Sequence, residues 1–115
     1  MYTTFNRGDV FYADLGYDGT HCQGGTRPIV IVSNQRCNVH SPIISVVCLT
    51  TSQTKSKLPT HVTLPAFETG LPKDSICMCE QPMSLPKTKI RNFVTSLSNE
   101  YMSKIDNGLR CQLCL

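Results

Sequence analysis

The stretch that most limits how this chain can fold is Gln23 to Asn34, Q-G-G-T-R-P-I-V-I-V-S-N. Ile29, Val30, Ile31 and Val32 are β-branched and run without polar alternation. Such a run reads as a strand covered on both faces. Ahead of it, Gly24 and Gly25 carry no Cβ and allow close approach of backbone or ligand. Arg27 therefore stands where a glycine-rich loop meets a rigid strand. That position suits a charge meeting a phosphate or carboxylate, and equally an ordinary surface arginine at a strand start.

Around this strand the chain offers several more. Gly8 to Leu15 alternates as a half-buried strand, and Ile43 to Thr50 is a second continuous apolar run. His61 to Leu64 and Ser75 to Gln81 read as shorter strands, with Pro82 to Leu85 continuing the latter. Gly16 to Thr26 reads as a long loop of the kind that binds ligands. Asn34 to Pro42 reads as a polar connection and Ala66 to Asp74 as a turn region. Pro86 to Val94 is expected to hold one or two helical turns. The last segment is a helix: Ser98 is a good N-cap, Glu100 suits the first turn, and Met102, Ile105, Leu109 and Leu113 share a face. Gly108 weakens that helix by about 1 kcal/mol relative to alanine. Five or six short strands and one terminal helix make a compact, mostly antiparallel β barrel with a C-terminal helix.

With 115 residues, one domain spanning 1–115 is expected. A chain of this size can bury about 65% of its unfolded surface. The net charge of +3, from 11 basic and 8 acidic residues, suits an anionic partner without demanding one. No apolar run approaches the ~18 residues of a membrane span. The opening M-Y-T-T-F-N-R-G-D lacks a signal peptide's apolar stretch, so the expected location is cytoplasmic. Seven cysteines, an odd number without a secretory signal, argue against a disulfide framework. Cys77, Cys79, Cys111 and Cys114 sit among Ile, Met and Leu, and read as buried thiols rather than a zinc site.

No phosphate-binding loop ending in Lys-Ser or Lys-Thr, and no H-E-x-x-H, is present. A His21/Cys22 dyad has nothing in the sequence to orient it. The polar groups at strand ends are Arg27, Thr50, Thr51, Ser52 and Gln53, with Lys55, Lys57 and His61 nearby. Such groups permit one reaction that needs neither a metal nor a protein nucleophile. An RNA 2′-hydroxyl can attack its own phosphate while arginine and hydroxyl donors stabilise the phosphorane. These residues permit that chemistry but do not select it.

The selection comes from resemblance. R-G-D-V-F-Y-A-D-L (Arg7–Leu15), Q-G-G-T-R-P-I-V-I-V-S-N, N-V-H-S-P (Asn38–Pro42) and L-T-T-S-Q (Leu49–Gln53) resemble the MazF/PemK family of toxin endoribonucleases. K-L-P-T-H-V (Lys57–Val62), G-L-P-K-D-S (Gly70–Ser75) and C-E-Q (Cys79–Gln81) continue the likeness in order. The resemblance implies an SH3-like, CcdB/PemK-type barrel that pairs as a homodimer. It implies metal-independent, sequence-selective cleavage of single-stranded mRNA, without a cofactor, leaving a 2′,3′-cyclic phosphate and a 5′-hydroxyl. It implies an antitoxin partner that blocks the RNA groove and binds DNA together with the toxin. The catalytic residues it implies are Arg27 and Thr50. RNA contacts are implied for Gln23, Gly24, Gly25, Thr26, Thr51, Ser52, Gln53 and Lys55. One departure stands out: relatives commonly read G-S-E-Q-G-G, and here Cys22 takes the place of the glutamate. A gyrase-binding toxin of the same fold, or a catalytically weakened binding module, are the competing readings.

Overall fold

A computed structural model describes residues 4–16, 25–51 and 58–115. The elements run β1 (Asp9–Asp14), β2 (Thr26–Ile31), α1 (Gln35–His40), β3 (Ile43–Thr50), β4 (His61–Leu64), α2 (Ala66–Thr69), β5 (Ser75–Pro86), a 3₁₀ turn (Lys87–Lys89), β6 (Ile90–Ser96) and α3 (Asn99–Leu113). The strands form one sheet in the order β4-β5-β3-β2-β1-β6, antiparallel throughout.

The lack of polar alternation in β2 and β3 has a direct cause. Successive side chains of a strand point to opposite faces, and here both faces are apolar. Val30, Val47, Leu49, Cys77 and Cys79 enter one cluster, which α3 covers with Tyr101, Met102 and Ile105. Ile29, Ile31, Val46, Cys48, Ile76 and Met78 enter the other, together with Phe11 and Leu85. This second cluster contains no helical residue, so its burial comes from the sheet curling on itself. The curl is concentrated in β5. Its first half pairs with β4 and the end of β3, and its second half with the start of β3, across a register shift between Val47 and Leu49. Each fully buried Val or Ile contributes roughly 1.5–3 kcal/mol of transfer free energy, so the two strands anchor the fold.

Three expectations about chain segments change. Asn34 to Pro42 is not merely a connection, because Asn34 caps α1 by accepting from the Cys37 backbone N–H at 2.9 Å. The turn region expected from Ala66 to Asp74 opens with a single helical turn, α2. Pro86 to Val94 holds only one 3₁₀ turn before β6, which sits on the sheet edge against β1. Its exposed Arg91 and Asn92 hide the strand period, and two register shifts against β1 break it further. Packing decides the outcome: the Phe93 ring lies edge-on to Phe11 with centroids 5.4 Å apart.

Helix α3 starts where expected, with Ser98 accepting from the Tyr101 N–H. Its apolar stripe fades toward the end: Met102 and Ile105 are buried, Leu109 is partly buried, and Leu113 is exposed. The cysteines divide in the same way. Cys77 and Cys79 are buried thiols, but Cys111 and Cys114 lie beyond the packed part of α3 and are exposed, against the sequence reading. At Gly108, α3 packs closely on Cys79 of β5. A Cβ there would lie 2.8 Å from the Cys79 Sγ and 3.2 Å from the Thr60 carbonyl oxygen.

Gly108→Ala thus sets a helix-propensity gain of about 1 kcal/mol against overpacking of about 1–3 kcal/mol. A core thiol and a backbone carbonyl have little room to retreat, so a net loss is expected. It is read as a lower urea midpoint at unchanged m-value; a raised midpoint would show that propensity dominates.

Candidate active site

Strands β2 and β3 pair through Ile29↔Cys48, Val30↔Val47 and Ile31↔Val46. Continued by two residues, that register would bring Arg27 opposite Thr50. The hydrogen-bonded ladder has stopped by then, and a cleft of about 280 Å³ opens at the strand ends. Its lining includes Thr26, Arg27 and Pro28 from β2, Leu49 and Thr50 from β3, then Thr51, and Tyr12 from β1. Leu71, Pro72, Lys73 and Ser75 form the wall between α2 and β5, and Val94 joins from β6.

The sequence-derived pair therefore shares one cavity. Arg27 is exposed, whereas Thr50 is only 9% exposed. Thr51, one residue beyond the end of β3, lines the same cleft and is exposed. Thr26 lines the cleft, and Gly25 precedes it in the chain. Gly25 has φ +74°, a conformation that favours glycine. Its N–H donates to the Gly16 carbonyl at 2.6 Å, and its carbonyl accepts from the Leu15 N–H at 2.9 Å. These bonds close the stem of the long loop. Gln23, Gly24, Ser52, Gln53 and Lys55, with His21 and Cys22, lie outside the described residues.

Among the described residues that line the cleft, Arg27 and Lys73 are cationic and none is acidic. Asp14, at the end of β1, is opposite Thr26 rather than Arg27. Its carboxylate accepts from the Gly16 N–H at 3.0 Å and lies 3.6 Å from Arg91. Sequence reasoning missed Tyr12, Lys73 and Ser75. Lys73 and Ser75 fall within G-L-P-K-D-S, which the sequence marked as a family-like motif but otherwise as a turn and a strand start.

At the start of β4, a polar clamp fixes the chain that follows residues 52–57. Glu80 accepts from Thr60 Oγ1 and contacts His61 Nε2, each at 3.0 Å. The Leu58 N–H points to His61 Nδ1 at 3.4 Å, which makes Nε2 the protonated nitrogen of the neutral ring. Burial pushes the Glu80 carboxyl up, but hydrogen bonds from its own backbone, His61 and Thr60 outweigh it and hold the pKa below the usual 4.5.

A family profile described as "PemK-like, MazF-like toxin of type II toxin-antitoxin system" matches residues 6–113. The chain belongs to the PemK/MazF toxin family. It is 38% identical to Endoribonuclease EndoA of Bacillus subtilis (strain 168), over 95% of this chain and 94% of that one. It is 39% identical to Endoribonuclease MazF of Staphylococcus epidermidis, over 95% and 91%. A solved mycobacterial endoribonuclease in complex with its cognate antitoxin superposes with a TM-score of 0.78 at 27% identity, covering 99% of this chain and 97% of that one. The curled antiparallel sheet with its C-terminal helix is thus the fold of PemK/MazF-like toxins.

The Glu80 shift gives a pH dependence of definite sign. A carboxylate with a depressed native pKa stabilises the fold above its unfolded value, and that contribution fades as pH falls through the native value. Urea midpoints taken downward from pH 6 should fall on passing below about 4.5, and Glu80→Gln should flatten this limb. An equally steep limb in the variant would assign the acid sensitivity to other groups.

Proposed function

We propose that this chain is the toxin of a type II toxin–antitoxin pair and cuts single-stranded mRNA without a metal ion. The observation that carries this reading is that Arg27 and Thr50 line one cleft, with no acidic side chain among its described lining residues. In this reading the ribose 2′-hydroxyl is the nucleophile. A bond forms between O2′ and phosphorus, the bond from phosphorus to O5′ breaks, and a proton passes from O2′ to the leaving O5′ by way of solvent or side chains. The products are a 2′,3′-cyclic phosphate and a 5′-hydroxyl.

Arg27 binds the scissile phosphate with its planar donors, and the Thr50 hydroxyl donates to the oxygen on which phosphorane charge builds. A guanidinium holds its proton far above neutral pH, so its main contribution is electrostatic. The single-stranded chain approaches over Gly25, Thr26 and Thr51, and the segments carrying Gln23, Gly24, Ser52, Gln53 and Lys55 supply sequence selection. A cytoplasmic homodimer, held in check by an antitoxin segment laid over the RNA-binding side, completes the proposal. The antitoxin complex of the mycobacterial relative supports this last part.

Purified protein incubated with a mixed RNA pool in EDTA should cut it, and mapped ends should carry cyclic phosphate. Intact RNA would sink the cleavage reading. Arg27→Ala should lower the rate by about a hundredfold or more, the scale of losing one preorganised charged donor. Thr50→Ala should cost more than Thr51→Ala, because Thr50 is the buried, strand-held hydroxyl of the two lining the cleft; the reverse order would refute that assignment.

A further inference from the structure

We infer that Lys73 is a second phosphate-binding residue of the cleft, holding the phosphate next to the one engaged by Arg27 and Thr50. The inference rests on the reading of this cleft as an RNA site and adds a residue to it. Lys73 brings a cation to the same 280 Å³ cleft from the turn before β5, whereas Arg27 stands on β2, so the two charges enter the cleft from different elements and suit successive phosphates of one strand.

The placement of Lys73 supports a built contact rather than a drifting surface lysine. Its backbone is held on both sides. Leu71 is buried at 5% exposure, and Pro72 fixes its own φ just before the lysine. After it, the Ser75 hydroxyl donates to the Lys73 carbonyl at 2.9 Å, and Asp74 accepts from the Ala66 N–H at 2.8 Å, tying the turn to α2. The Lys73 side chain itself is exposed, and its ammonium forms no salt bridge among the described residues. Its charge is therefore available to a ligand.

The residue type adds a further point. A lysine ammonium is a compact charge with three rotatable donors and needs no planar partner. It grips a backbone phosphate whatever base is attached, so it positions the strand without reading its sequence. Arg27 fixes the reacting phosphate and Lys73 sets the direction in which the chain leaves it.

The test uses the full chain and a mixed-sequence pool of single-stranded RNA bearing 2′-O-methyl groups, which cannot perform the attack. Binding is followed by fluorescence anisotropy at several salt concentrations for wild type, Lys73→Ala and Lys73→Arg. Lys73→Ala should bind roughly five- to tenfold more weakly and shift the log–log salt slope by about 0.7, one phosphate contact on a single strand. The loss should be similar across sequences, and Lys73→Arg should restore the slope. With unmodified RNA, the same alanine variant should raise KM by a comparable factor and change kcat less than about twofold. A wild-type slope and affinity in Lys73→Ala would overturn this inference alone. A wild type that binds the methylated pool but leaves unmodified RNA intact would sink the cleavage reading and, with the slope change present, uphold Lys73. A wild type that binds neither would overturn both.

Discussion

The structure depends on two adjacent strands being buried on both faces. Ile29, Val30 and Ile31 are each 0% exposed, as are Val46 and Val47 across from them. A shift of one residue between β2 and β3 would exchange every side chain between the two apolar clusters. The register is therefore held by many contacts that have no catalytic role. The polar pair at the open end inherits that rigidity, since Arg27 and Thr50 lie on the same two strands, two residues beyond the last ladder pair.

The remaining elements support this pair of strands in different ways. Helix α3 seals one cluster and meets β5 so closely at Gly108 that only a hydrogen fits beside Cys79. The curl of β5 encloses the other cluster and carries Ser75 to the cleft. The Glu80 carboxylate joins Thr60 and His61 to β5, so the chain leaving residues 52–57 returns to the sheet at a fixed point. Asp14 is engaged by Gly16 and Arg91 at the rim, facing Thr26 rather than Arg27.

Much of this was legible in the sequence because it rests on local signals. The unalternating β-branched runs announced strands covered twice, and Ser98 with Glu100 announced α3. The Arg27 and Thr50 pairing came from resemblance, and both residues line one cavity. What sequence could not show was what packs against what. Ile90 to Ser96 lacks a clean period because its neighbour β1 holds it through two register shifts. Cys111 and Cys114 look like core residues by their Leu neighbours, yet the helix outruns the sheet before reaching them. Gly108 reads as a helix weakness until Cys79 is seen beside it. Lys73 carries no signal of its own, since only the folded turn between Leu71 and Ser75 brings it to the cleft.

The stem bonds between Leu15, Gly16 and Gly25 have an evolutionary consequence. They tie off the connection from Gly16 to Gly25 before it reaches the ladder, much as a knot isolates a length of rope. Insertions, deletions and substitutions inside that connection can accumulate without moving the strand ends. A chain built on this plan can thus change its outermost connection while the paired strands on either side keep their places.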